Sequence, residues 1–288
     1  MSQEHLARKA GPLLGAQQRL DAIRHADLIS LNAFESLRKL MQQASGIVLA
    51  DHKKHLVATR LATRLRTLGL ADYDAYVRHL RQHPEERQVC IDLLTTNETR
   101  FFREPRHFEW LERLVRNTQP RGFRVWSAAC SSGEEPYTIA MVLAHTRSQM
   151  DWEVLGTDLS RRVLDRARAG VYLESDAEGI PREWLVRFCL KGVGERSGHF
   201  QIKPQLRKVV KFQPMNLNET LPADLGLFDV VFLRNVLIYF DRDAKERIVR
   251  RILEHIPQGG YLLIGHSESL HGYNLPLKTL MPSVYQKL

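Results

Sequence analysis

The stretch VWSAACSSGEEPY, residues 125–137, decides the fold. An apolar run leads into a loop of small residues, and the loop opens a helix that begins with two carboxylates. Strand, tight loop and helix in that order make the first step of a parallel α/β sheet. Small residues let backbone approach a bulky ligand closely. A helix start offers N–H groups with no partner inside the helix. The two acids argue against a phosphate, which they would repel, and for a ligand that carries a positive group and hydroxyls. A sulfonium nucleoside, S-adenosylmethionine, fits that description.

The same rhythm continues downstream. Residues 124–129, 152–157, 209–213, 228–233, 261–265 and 283–287 read as strands, and 134–145, 161–169 and 244–255 as helices. Such alternation predicts a parallel sheet covered on both faces. Residues 175–208 interrupt it. They hold Gly192, Gly194 and Gly198, and the alternating HFQIKPQLRKVVKF that starts at His199 predicts a short antiparallel insert. Upstream, from Ile29 to about Cys90, the pattern is helical, with Leu37, Leu40, Met41 and Ile47 spaced for one apolar face. Asp51 is expected to cap the helix HKKHLVATRLATRLRTL, which stops at Gly69, and Asp72 to cap YDAYVRHLRQH, which ends before Pro84. No strand pattern occurs there. The expected organisation is a polar extension at 1–27, a small all-helical domain at 28–92, a linker and helix at 93–120, and a Rossmann-like α/β domain at 121–288 with an insert at about 175–208.

The 288-residue chain is 43% hydrophobic and 26% charged, as in ordinary globular proteins. No apolar run approaches the ~18 residues of a membrane helix, and MSQEHLARKAG lacks a signal-peptide core. Cys90, Cys130 and Cys189 form neither a disulfide framework nor a metal pattern. The twelve histidines have no HExxH or CxxC companion, so no metal site is expected. These features predict a reduced, cytoplasmic protein that does not insert into a membrane; nothing in them demands a dimer, and a monomer is expected. The net charge is +9, and residues 1–84 hold 13 Lys and Arg against 7 Asp and Glu. A basic module of this kind points to an acidic partner: nucleic acid, a membrane surface or an acidic protein.

Ligands of open α/β sheets sit beyond the C-terminal ends of the strands. The first strand delivers CSSGEE. The second delivers Asp158, in the position of an acid that accepts hydrogen bonds from ribose hydroxyls. The third delivers Asn216 and Leu217, and the fourth Arg234 and Asn235, followed by Tyr239. Each has a plainer reading. The glycine can be only a tight turn, Glu134 and Glu135 can be first-turn acids worth ~0.5 kcal/mol each against the helix dipole, and Asp158 can be an N-cap. Arg234–Asn235 sits between DVVFL and VLIYF, where an unpaired charge is costly. Coincidence at four strand ends favours a cofactor site.

Five stretches together resemble the chemotaxis receptor methyltransferases, the CheR family: LLTTNETRFFREPRHF (93–108), RVWSAACSSGEEPYTIA (124–140), LGTDLSRRVLDRARAGVY (155–172), FDVVFLRNVLIYFD (228–241) and GGYLLIGHSESL (259–270). The similarity runs from about residue 30 to the C-terminus. Leu233 departs from it, where members often carry cysteine. The resemblance implies a class I methyltransferase domain that moves a methyl group from S-adenosylmethionine to glutamate side chains on chemoreceptor cytoplasmic helices, leaving S-adenosylhomocysteine. It assigns cofactor contacts to Asn97, Thr99, Arg103, Glu134, Asp158, Asn216, Leu217, Arg234, Asn235 and Tyr239. Glu134 suits the methionyl ammonium, Asp158 the ribose diol, and Asn216–Leu217 the adenine.

A glutamate side chain, with pKa ~4.3, is already the ionised nucleophile at neutral pH, so no general base is required. Bringing carboxylate and sulfonium together cancels both charges, which a dry site favours. Arg103 and Tyr239 are the expected catalytic residues, orienting the reacting groups; Arg103 has the alternative role of holding the cofactor carboxylate. The helix after Asp51 carries Lys53, Lys54, Arg60, Arg64 and Arg66 with no acid among them. Its plain reading is a solvated face. The resemblance implies instead that Lys54, Arg60 and Arg64 dock on receptor helices, and that the insert grips a receptor C-terminal pentapeptide. Two other readings are a nucleic-acid methyltransferase and a non-catalytic sensor of S-adenosylmethionine or its product. Against the first, no NPPY or DPPF motif is present and no aromatics interleave the basic helix. Against the second stand the intact Arg103 and Tyr239.

Overall fold

The structure is a computed structural model that describes residues 29–118, 122–147 and 151–288. The extension at 1–27 lies outside the described residues. The chain forms two compact units, one made of 29–44 and 48–94, the other of 45–47 and 95–288.

The first unit holds helices α1 (Leu31–Ser45), α2 (Lys54–Thr67), α3 (Tyr73–Gln82) and α4 (Pro84–Leu94). The Ser30 hydroxyl accepts the Ala33 N–H at 2.9 Å and starts α1, which buries Phe34, Leu37 and Met41. Ile47 lies beyond the helix end and does not extend that face. In α2, Val57, Ala58, Leu61, Ala62 and Leu65 form the buried stripe, and Gly69 ends the helix in the left-handed conformation (φ 65°). Asp72 caps α3 as expected, accepting the Ala75 N–H at 2.7 Å. Asp51 does not cap α2. It stands in a 3₁₀ turn, Asp51–Lys53, ahead of that helix, and its carboxylate pairs with Arg38. The 3₁₀ turn puts Lys53, not Asp51, at the N-cap position of α2. Pro84 opens α4 at a position where its missing N–H costs nothing.

The second unit is built on a seven-stranded sheet of order β6-β2-β1-β7-β8-β10-β9. β1 (Phe123–Ala128), β2 (Trp152–Asp158), β6 (Val210–Pro214), β7 (Val230–Leu233) and β8 (Tyr261–Ile264) run parallel, and β9 (Leu277–Met281) and β10 (Val284–Lys287) close one side antiparallel. The period of two divides each inner strand between two cores. Val125, Val230, Phe232 and Leu263 pack on one face with helices α5 (Arg106–Thr118) and α6 (Glu134–Thr146). Trp126, Ala128, Val231, Leu233, Leu262 and Ile264 pack on the other with α10 (Arg242–Glu254). Burial on both faces is why these strands read as unbroken apolar runs. Helix α7 (Arg161–Ala169) has the bounds expected of it.

A second, three-stranded antiparallel sheet has the order β3-β5-β4: Val171–Leu173, His199–Ile202 and Cys189–Lys191. It is the antiparallel insert, but its interior differs from the expectation. Helix α8 (Arg182–Phe188) precedes β4, and the run HFQIKPQLRKVVKF is not one alternating strand. Pro204 removes a ladder donor and presets helical φ, so β5 stops at Ile202, helix α9 (Pro204–Val209) follows, and β6 resumes the main sheet at Val210. Among the described residues no helix is long and apolar enough to cross a membrane.

Candidate active site

β6, β2, β1 and β7 lie side by side and end at Pro214, Asp158, Ala128 and Leu233. The segments that follow them therefore share one edge of the sheet. Backbone strain gathers there. Among the described residues, the non-glycine residues with positive φ are Phe102, Glu104, Ala129, Ser131, Asn235 and Ser283, and all but Ser283 belong to segments meeting at this edge. Each costs about 1–3 kcal/mol unless its surroundings hold it. Here hydrogen bonds do. Cys130 N donates to Thr157 O at 2.8 Å, Ser131 N to Asp158 Oδ2 at 2.9 Å, and Ser131 Oγ to the Asn97 carbonyl at 2.9 Å. At Gly133 (φ 95°) any Cβ would stand 2.8 Å from the Ala167 Cβ and 3.1 Å from its Cα, so only glycine fits between this loop and α7.

Glu134, the first residue of α6, is 5% exposed. Its carboxylate accepts from the Ser132 hydroxyl at 2.8 and 2.9 Å and forms no ion pair among the described residues. Burial raises its pKa, and the Ser132 bond, its own N–H and the charge of Arg166 only partly offset this. A cationic ligand group is the complement such a carboxylate lacks, so this site fits the ammonium of S-adenosylmethionine.

Asp158 is buried and fixed by two backbone donors, Ser131 N to Oδ2 and Ser160 N to Oδ1, each at 2.9 Å. The N-cap position of α7 belongs to Ser160, not to Asp158. The carboxylate therefore ties the end of β2 to the loop after β1. Met215 N donates to Asp158 O at 2.9 Å, bringing Asn216 and Leu217 beside it. Leu217 is buried; the Asn216 amide forms a local turn, accepting from Asn218 N at 3.1 Å and donating to Glu219 at 2.8 Å.

Arg234 at the end of β7 is buried and braces the site through its two terminal nitrogens, while its Nε has no hydrogen-bond partner among the described residues. Its NH1 donates to Glu135 Oε2 at 2.8 Å, and its NH2 to Glu104 Oε2 at 2.9 Å and to the Arg103 carbonyl. Asn235 Nδ2 donates to Glu104 Oε1 at 3.2 Å, and Asn235 N to Glu268 Oε2 at 2.8 Å. Burial disfavours the Glu104 carboxylate, but Arg234, Asn235 and the His266 N–H together hold its pKa below the usual carboxylate range. Glu135 also accepts from the Ser127 hydroxyl at 2.7 Å. Glu104, Glu135 and Glu268 thus complete the site's framework, although the sequence marks only Glu135, and that as a dipole acid.

Arg103 is half-buried, and its guanidinium donates to Glu98 O at 2.9 Å. Tyr239 ends a half-buried 3₁₀ turn, Leu237–Tyr239, just past the brace. Asn97 reaches the β1 loop through its carbonyl, while its amide donates to Thr95 at 3.3 Å; Thr99 is half-buried between Asn97 and Arg103. In the helical unit, Arg64 grips the buried Glu86 through two bonds of 2.8 and 2.5 Å, and Tyr76 donates to the same carboxylate at 2.9 Å. Arg60 donates to Leu94 O at 2.7 Å, and Lys54 forms no ion pair among the described residues.

A mixed sheet whose parallel strands bring buried carboxylates to one edge is a Rossmann-like framework, and its match to a SAM binding methyltransferase domain makes it that of an S-adenosylmethionine-dependent methyltransferase. The models for the CheR methyltransferase all-alpha domain and the CheR methyltransferase SAM binding domain match residues 32–95 and 97–285. The chain belongs to the CheR methyltransferase family. It is similar to the chemotaxis protein methyltransferase of Escherichia coli K12, 41% identical over 82% of this chain and 84% of that one. It is 38% identical to chemotaxis protein methyltransferase 2 of Pseudomonas aeruginosa over 88% and 91% of the two chains. The chemotaxis protein methyltransferase of Borreliella burgdorferi is 34% identical over 90% and 95%.

Proposed function

We propose that this protein esterifies glutamate side chains on the cytoplasmic helices of methyl-accepting chemoreceptors, working in the cytoplasm as a monomer. The match of both family domains along one chain carries this reading. S-adenosylmethionine supplies the methyl group. Glu134 holds its ammonium group, Asp158 its ribose hydroxyls, and Leu217 with Asn216 its adenine; Asn97, Thr99 and Asn235 line the remainder. Arg234 acts through Glu104 and Glu135, keeping the segment 97–104 against the strand ends. Arg103 and Tyr239 orient the acceptor carboxylate. Burial of the framework keeps water out, so two opposite charges meet in a medium that favours their cancellation, and proximity supplies the rest of the rate.

The helical unit at 28–92 is the receptor-docking module, with Lys54, Arg60 and Arg64 on α2 facing acidic receptor helices, and 93–120 links it to the catalytic domain. The insert carries the tether site for a receptor C-terminal pentapeptide. In support, β4 is an edge strand, as strand addition by a peptide requires, and Leu190 on it and Val193 just past it are exposed. Incubation with methyl-labelled cofactor and a receptor cytoplasmic fragment tests the reading. Base-labile label on the receptor is expected; label on nucleic acid, or none, overturns it.

A further inference from the structure

The fold gathers Glu104, His107 and His266 into one cluster whose ligand atoms all lie within 4.8 Å of one another. His107 Nδ1 is 3.5 Å and His266 Nε2 3.9 Å from Glu104 Oε2. Donors around a tetrahedral zinc ion at about 2.0–2.1 Å stand roughly 3.3 Å apart, so small side-chain shifts bring these three to coordinating distance. His107 is fully buried, and neither of its ring nitrogens has a hydrogen-bond partner among the described residues. A buried imidazole left in that state is rare. The His266 side chain is 48% exposed, which gives an ion a way in and leaves room for water as a further ligand. Arg234 stands close by and opposes a cation, an opposition that Glu104 and Glu135, which bond it, and Glu268, which bonds its neighbour Asn235, reduce. Linear motifs conceal this cluster because two of its members lie near residue 105 and the third follows β8.

We propose that Glu104, His107 and His266 form a site for one zinc-class divalent cation, and that filling it draws the Glu104 carboxylate away from Arg234 and slows methyl transfer. The slowing rests on the methyltransferase reading; the binding does not. Glu104 anchors both Arg234 and Asn235, so a metal on its carboxylate loosens the brace that holds residues 97–104 at the strand ends.

The test is calorimetric titration of Zn²⁺ into the full-length protein and its His266→Ala and His271→Ala variants, in a non-coordinating buffer. His271 is exposed and outside the cluster. The wild type and His271→Ala should take up one ion with equal affinity, and His266→Ala should lose at least about tenfold. Absence of saturable uptake by the wild type, or equal affinity in all three proteins, overturns the site. In methyl-transfer assays zinc should slow the wild type and spare His266→Ala; binding with no slowing overturns the coupling to Arg234.

Discussion

A buried carboxylate lowers its energy either by taking up a proton or by finding a cation. Glu134 is in that position, with a hydroxyl for company and its pKa raised by burial. Replacing it by glutamine keeps an acceptor for Ser132 and removes only the charge. Glu134→Gln is therefore expected to fold normally and to bind S-adenosylmethionine about 10–100-fold more weakly, the loss of a charge-assisted bond, as read by calorimetry. An unchanged affinity would remove Glu134 from the cofactor site. The sequence marks Glu134 as an acid opening a helix beside small residues, but a first-turn acid also serves the helix dipole, so its burial without an ion pair among the described residues could not be read there. Glu104 and Glu135 were not legible in their actual role. Their partner Arg234 lies 130 and 99 residues away, and a carboxylate reads the same in sequence whether it is solvated or paired. What the sequence did announce was the need. A charge between two apolar runs had to be compensated, and Arg234 is compensated twice.

Helix α2 shows the same limit at the scale of an element. Its basic residues read as one uniform face, but the structure gives them different duties. Arg64 closes over the buried Glu86, whose pKa is lowered first by the Arg64 hydrogen bond and further by Tyr76, so this side chain also holds α2 to α4. Arg64→Glu would set two carboxylates together and cost about 2 kcal/mol or more, visible as a fall in Tm. Lys54→Glu should leave Tm nearly unchanged and raise KM for the receptor several-fold, with cofactor affinity intact. If both variants change KM equally at equal Tm, Arg64 is a docking residue first and a brace second. An unchanged KM in Lys54→Glu excludes the face around it. Among the other elements, the parallel strands were readable because burial on two faces leaves unbroken apolar runs. Strand β9 was not, since LKTLM is mostly exposed along its length and its pairing depends on β10. The insert was misread where Pro204 turns an alternating pattern into a helix.

Across the whole molecule, charge distribution is the property with a functional consequence. The chain carries +9, and most of that excess falls within residues 1–84. Long-range attraction to an acidic partner is screened once ions shorten the Debye length to about 10 Å, near 0.1 M salt. The Glu134 and Asp158 carboxylates, proposed to hold the cofactor, are buried and escape most of this screening. Two steps of one reaction should therefore separate by their response to salt. Raising NaCl from about 50 to 300 mM should lower kcat/KM for the receptor about tenfold, mainly through slower encounter, while calorimetry shows the affinity for S-adenosylmethionine nearly constant. The Lys54→Glu variant should begin lower at low salt and respond less steeply, because part of its attraction is already gone. If kcat/KM is flat in salt while Lys54→Glu still raises KM, recognition is by short-range contact with α2, and the basic excess of the first 84 residues serves some end other than finding the receptor.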